Sequence, residues 1–196
     1  MTAEPSRADV NGHRHRLFEG LARSLASKGY AATTIADIVR EAGVSRRTFY
    51  EHFASQSDCL VALYEAASHN ALKVLRAAID PARAWHTQVE QAMAAYLGCL
   101  ASNPMLMRAL FVEVLALGLP GLAARRRVNR EMASFMLEVI HAGPDRQTLS
   151  ADMAMAVVGG VNELVLQAIE QDRVQDLPSI AATASALVRA VTRPAT

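Results

Sequence analysis

Between Ser45 and Phe53 the sequence SRRTFYEHF sets Arg46, Arg47, Thr48, Tyr50 and His52 within one short segment. Each of these side chains can donate a hydrogen bond, and an arginine can offer two at once to a guanine edge. Phe49 and Phe53 lie on the inward side of the same segment, with Val44 just ahead of it. Donors on one side and large apolar rings on the other suit a helix that packs through its phenylalanines. In a major groove such a helix reads base edges with its N-terminal residues and holds the backbone with its flanks. A solvated surface helix that happens to carry arginines has the same composition. The chain just before it separates the two readings.

Thr34 followed by Asp37 has the spacing of a capping box, in which hydroxyl and carboxylate satisfy free backbone N–H groups reciprocally. Ile35, Ile38, Val39 and Ala42 then recur at helical spacing, which predicts a short helix to about Ala42. Gly43 stops it, because glycine takes the left-handed backbone of a sharp turn at no steric cost. Ser45 caps a second short helix, expected from Arg46 to about His52. Two helices too short to be stable alone, joined by a tight turn with glycine, have the shape of a helix-turn-helix.

Thr33-Thr34, Ile38, Ala42-Gly43-Val44-Ser45, Thr48, Phe49-Tyr50 and His52-Phe53 together resemble the DNA-binding domain of the TetR family of bacterial transcriptional repressors. The resemblance covers roughly the first third of the chain. It implies DNA contacts for Tyr50 and His52, to phosphates or nearby bases, and a backbone phosphate contact for Thr33. With these, the candidate DNA-binding set is Thr33, Thr34, Ser45, Arg46, Arg47, Thr48, Tyr50 and His52. Two positions depart from the family pattern: Gln56 stands where a phosphate-gripping lysine is common, and Val39 where alanine is usual.

Composition bounds the rest. Of 196 residues 52% are hydrophobic and only 5% aromatic, with alanine and leucine prominent and little strand-like alternation, which predicts an all-α protein. The formal charge of +1 leaves no general affinity for polyanions. Up to Leu60 there are eight Lys/Arg against seven Asp/Glu, so nucleic-acid binding must rest on the motif. Cys59 and Cys99 show no paired spacing, so no disulfide framework or zinc site is expected. The polar first dozen residues lack a signal peptide, and Arg108 and Glu113 interrupt the most tempting apolar run. These features predict a cytoplasmic protein with no membrane span and no cofactor.

A mobile arm is expected up to about Asn11, then a first helix from Gly12 to Lys28 with Leu17, Leu21 and Leu25 in line, ended by Gly29. Tyr30 is expected to close the small core with Phe18, Phe49 and Phe53, and His13, Arg14, His15 and Arg16 to form a solvated face or add phosphate contacts. A long helix should run from about Asp58 to Ile79, joining the domains as a rod, and Asp80-Pro81 should open a fifth. Residues 105–117 read as a helix apolar nearly all round, and therefore buried. Gly118 to Gly121 reads as a turn, followed by a helix to about His141. Helices from Ser150 to Glu170 and from Pro178 onward carry small and apolar residues suited to packing. The resemblance implies that these last two form a four-helix dimer interface.

The expected architecture is a three-helix N-terminal helix-turn-helix domain, residues 1–55, joined to a larger helical ligand-binding and dimerisation domain, residues 56–196. Trp85, Met93, Tyr96, Met107, Phe111 and Phe135 are large apolar side chains of the larger domain that could wall a cavity or fill a solid core; Arg108 and Glu113 are the polar candidates. The resemblance favours the cavity. It implies a homodimeric repressor bound to near-palindromic double-stranded operator DNA and released by a small apolar or aromatic effector. Two other classes compete: an enzyme with an appended DNA-binding domain, and an architectural DNA-binding protein without an effector. Against the enzyme, His69, His86 and His141 are scattered, and there is no nucleophile–base signature, metal-ligand pair or phosphate loop.

Overall fold

The computed structural model describes residues 7–142 and 147–194, and almost all of them are helical. Helix α1 spans Arg7–Ala32, so it starts before the expected Gly12; the first six residues of the expected arm lie outside the described residues. Gly29 interrupts α1 as expected, with φ 73° and ψ 173°, a backbone that only glycine adopts without strain. A last turn then continues to Ala32. Helices α2 (Ile35–Ala42) and α3 (Arg46–His52) follow at the expected positions. Beyond them come α4 (Gln56–Ala78) and α5 (Trp85–Ala101). The segment between α4 and α5 is a turn, not the expected helix start. Asp80 accepts from the Ala82 N–H through its carboxylate and from the Arg83 N–H through its carbonyl, both at 3.0 Å. A side chain that closes a local turn competes with the helix it was expected to cap.

The apolar run after Pro104 is not one regular helix. It begins as α6 (Pro104–Arg108), passes through a π-helical turn (Ala109–Glu113) and ends as α7 (Val114–Ala116). Nor is it buried all round, since Met105 is 57% and Val112 38% exposed while Ala109, Leu110 and Val114 are enclosed. Gly118, left-handed at φ 66°, separates this run from α8 (Leu119–Ala142), which already includes part of the expected turn. Helix α9 (Ala151–Glu170) is capped by Ser150, whose hydroxyl accepts from the Met153 N–H at 3.2 Å. Val174–Ile180 is a 3-10 segment containing Pro178, so α10 (Ala181–Val191) opens slightly later than expected. The two-residue strands β1 (Gln147–Thr148) and β2 (Arg193–Pro194) pair antiparallel, an addition that composition did not predict.

The chain forms two compact units: residues up to Glu65 together with Arg108–Leu122, and Ala66–Met107 together with the residues from Ala123 onward. The division falls inside α4 and again at Arg108, and so differs from the expected single boundary between residues 55 and 56.

In the first unit Leu17, Leu21, Ile38, Phe49 and Leu60 are fully enclosed, and the rings of Phe18, Phe49 and Phe53 meet at 5.7 and 5.8 Å between centroids. Tyr30 is not part of these ring contacts. It sits half-buried near Asp58, its carbonyl accepting from Gln56 Nε2 at 3.3 Å. Helices α1 and α2 cross closely at Gly20, where an added Cβ would stand 2.6 Å from the Ile38 carbonyl oxygen. The π turn packs on α1, and a Cβ at Gly29 would lie 3.3 Å from Glu113 Oε1.

In the second unit α5 packs against α10 and the 3-10 segment. Glu90 and Arg189 pair across α5 and α10. Helix α9 is enclosed along Ala154, Val157, Val158, Val161, Val165 and Ala168, and Gly160 admits the Leu187 side chain of α10. Contrary to the expectation from sequence, α9 is by length and composition long and apolar enough to cross a membrane. A core helix passes the same test, and the α9 stripe just named is spent on this unit's interior.

Candidate nucleic-acid interface

The turn is built by local bonds. Thr34 Oγ1 accepts from the Asp37 N–H at 3.3 Å, and Asp37 Oδ2 accepts from the Thr34 N–H at 3.0 Å, which completes the expected capping box. Asp37 also meets Lys28 Nζ at 2.6 Å and Arg40 at 3.0 Å. The hydrogen bonds from Lys28 and then from Thr34 hold its carboxyl far below the usual carboxylate range. Gly43 ends α2 in the left-handed conformation, with φ 62°. Ser45 Oγ accepts from the Thr48 N–H at 3.0 Å and caps α3. With Phe49 fully enclosed, Arg46, Arg47, Tyr50 and Glu51 are turned outward.

Arg46, Arg47 and Tyr50 are exposed; the Tyr50 ring stands edge-on to Phe49 at 5.6 Å. Arg47 Nε lies 3.0 Å from Glu51 Oε1, an acidic neighbour that the expected donor set did not include although its i,i+4 spacing is legible. Thr48 is half-buried with its hydroxyl 2.9 Å from Ser45 Oγ, so both are committed first to the cap. His52 is half-buried at the end of α3, and its ring meets that of His13 on α1 at 6.2 Å. Burial, then the positive neighbours His13 and Arg14, lower its pKa below the usual value, with Glu51 opposing. The Arg14 guanidinium lies over the Phe18 and Phe53 rings at 5.4 and 5.7 Å. The start of α1 and the end of α3 therefore share one basic, aromatic edge.

Two expectations need correction. Thr33 is enclosed, and its hydroxyl donates to the Gly29 carbonyl at 2.7 Å. A buried hydroxyl already used in this way offers a phosphate nothing, so Thr33 belongs to the α1–α2 junction. Thr34 is exposed, but its hydroxyl also donates to Asp37 Oδ2 at 2.6 Å. Gln56, which stands where the resemblance leads one to expect a lysine, likewise turns its amide toward the Tyr30 carbonyl.

The expected ligand residues are divided. Arg108, Phe111 and Glu113 belong to the first unit, where Arg108 is exposed and Glu113 lies by Gly29. Met93, Tyr96, Met107 and Phe135 are enclosed in the second unit, and the Arg76 guanidinium covers the Phe135 ring at 4.6 Å. Trp85 packs against the cluster of Ala133, Ile140 and Leu149 and donates to Thr192 Oγ1 at 3.3 Å. Among the described residues no group of three or more His, Cys, Asp or Glu is arranged to hold a metal ion.

Comparison with known proteins agrees with this arrangement. The sequence profile described as "Bacterial regulatory proteins, tetR family" matches residues 17–63, which hold the capped turn and α3. An HTH-type transcriptional regulator of Bacillus subtilis, YerO, is 39% identical over 56 residues, covering 29% of this chain and 19% of that protein. The chain thus matches only about a fifth of the length of its curated relatives. Among solved structures, the fatty acid degradation regulator FadR from Bacillus halodurans superposes with a TM-score of 0.76 at 17% identity, covering 95% of this chain and 96% of that one. FadR from Bacillus subtilis, solved in complex with stearoyl-CoA, gives a TM-score of 0.72 at 17% identity over 89% of this chain and 96% of that one. At such identities the structural likeness establishes the fold, and the sequence match carries the kinship. Residues 17–63 of this chain thus carry the DNA-binding domain of the TetR family of bacterial regulatory proteins.

Proposed function

We propose that this protein is a sequence-specific, DNA-binding transcription regulator, a cytoplasmic homodimeric repressor that a small apolar molecule releases from a near-palindromic operator. The observation that carries the reading is α3 itself, capped by Ser45, anchored by the enclosed Phe49 and presenting Arg46, Arg47 and Tyr50 outward. A short helix with exposed donors on its outer face suits the major groove. The match of residues 17–63 to a family of transcription regulators supports this reading over the enzyme alternative.

For the effector, Met93, Tyr96 and Met107 of the second unit are the candidate wall, since thioether and aromatic surfaces adapt to a greasy ligand. The stearoyl-CoA complex of Bacillus subtilis FadR supports including long acyl chains among the molecules to try.

The test is selection of bound duplexes from random DNA, followed by affinity measurement. Arg47→Ala should cost about 1–3 kcal/mol and relax one operator position. Tyr50→Ala should weaken all sequences similarly, as a phosphate contact does. An effector bound by the free protein must bind more weakly in the presence of operator, by the factor with which it weakens DNA binding. Failure to enrich any sequence would refute the reading.

A further inference from the structure

The outer ridge of α3 is not purely basic. In a helix, residues two before and two after a given position both point roughly 160° away from it. Arg47 and Glu51 bear that relation to Phe49, which is fully enclosed, so their side chains form the ridge farthest from the core. The Arg47 side chain is 88% exposed and that of Glu51 50%, with Arg47 Nε 3.0 Å from Glu51 Oε1. An ion pair this exposed does little for the fold. The acid is also out of place on a surface meant for phosphates. Arg46, Arg47 and, from α1, Arg14 supply the positive charge here, and Glu51 subtracts from it.

We infer that Glu51 is a positioning and specificity-determining residue that sets Arg47 for base reading. The inference rests on the DNA-binding reading above. A guanidinium is planar, with its donors in a fixed fork. When the carboxylate takes Nε, the two terminal nitrogens are left side by side, pointing away from Glu51. That pair matches the O6 and N7 acceptors of guanine. The second Glu51 oxygen remains free to accept from a cytosine amino group, the one donor a G·C pair shows in that groove. Against a site without such a donor, and against the phosphates, the carboxylate is repelled. Glu51 thus contributes a repulsive element that separates correct from incorrect DNA.

The experiment uses the full-length protein, with an operator selected from random DNA by the wild type. Affinity is measured by fluorescence anisotropy for that operator, for each single base-pair substitution in it and for an unrelated duplex, at low and moderate salt. Arg47→Ala should abolish the preference at one G·C position. Glu51→Ala should reduce the preference at that same position by about tenfold and leave the others intact. It should also bind the unrelated duplex several-fold more tightly, an effect that shrinks as salt rises. Glu51→Gln keeps an acceptor for Nε but removes the charge, so it should show the second effect while largely keeping the preference. Thermal unfolding should change little, because Glu51 is half exposed and its ion pair with Arg47 lies on the surface. Unchanged preferences in Glu51→Ala would overturn the positioning role. So would a preference at the Glu51-sensitive position that survives Arg47→Ala. If the wild type enriches no sequence, the DNA-binding reading itself fails, a result separable from either of these.

Discussion

Asp37 Oδ2 lies 2.6 Å from Lys28 Nζ, an ion pair that ties the first turn of α2 to the end of α1. The same carboxylate caps α2 through Thr34 and meets Arg40, so one side chain sets both the start of α2 and its angle to α1. These partners need the ionised form. The folded-state pKa lies below the unfolded 3.8, so the stabilisation is complete well above 3.8 and is lost as pH falls below it. Asp37→Asn should lower the melting temperature at neutral pH and flatten the acid limb of a plot of stability against pH. Identical acid limbs in calorimetry would show that the junction does not depend on this charge.

Gly20 gives a steric prediction. An added Cβ would stand 2.6 Å from the Ile38 oxygen and 2.9 Å from the Ala42 nitrogen, both backbone atoms that cannot rotate away. Gly20→Ala should therefore push α2 off α1 and destabilise the first unit by about 1–3 kcal/mol, despite alanine's better helix propensity. Gly12→Ala on the same helix meets nothing within 4 Å and serves as the control. Chemical denaturation of the two variants compares them directly, and equal stability would contradict the close crossing.

His52 makes DNA binding pH-dependent if it contacts phosphate. In the free protein, burial and then His13 and Arg14 hold its pKa below 6.5, while Glu51 acts in the opposite sense, so the neutral form is favoured. A phosphate favours the imidazolium, and binding would then take up a proton and strengthen as pH falls through 6.5. Stability moves the other way: the unfolded chain protonates this residue first, so folding loses stability as pH falls through 6.5. His52→Gln should flatten the dependence of operator affinity on pH. The slope of affinity against pH, measured with and without the substitution, decides the matter.

For the proposed dimer, the useful probe lies on α9. Val161 is enclosed within the protomer and Leu187 packs on Gly160, so charges at either would damage the protomer itself. A Cβ at Gly159 meets nothing within 4 Å. Gly159→Arg should leave the protomer folded but separate a dimer that packs through this face. Sedimentation of a wild-type monomer at micromolar concentration would reject the dimer, and a dimeric Gly159→Arg protein would place its interface elsewhere.

What could be read in advance was what a few neighbouring residues decide. The capping box at Thr34 and Asp37, the left-handed Gly43 and the Ser45 cap are each satisfied within four residues along the chain, so α2 and α3 appear where their sequence puts them. The same holds for Ser150 at the start of α9. Phe49 was legible too, because only one side of so short a helix can be apolar. Where local signals competed, the reading failed: Asp80 could cap a helix or close a turn, and it closes a turn.

Only the tertiary structure decided which polar groups remain free. Thr33 and Thr34 share a type and adjoin in sequence, yet one hydroxyl is drawn inward to the Gly29 carbonyl and the other serves the cap. His13 meets His52 because α1 and α3 are brought together, across nearly forty residues of chain. The apolar side chains of residues 85–135 could have filled a core or walled a cavity, and composition is the same in both. Their division between two compact units, Arg108 and Glu113 in the first and Met93 and Tyr96 in the second, follows from the chain's return to its first unit after Met107. Caps and turns are short-range and leave a signature in sequence; burial depends on what distant segments bring to the same place, and no local pattern records it.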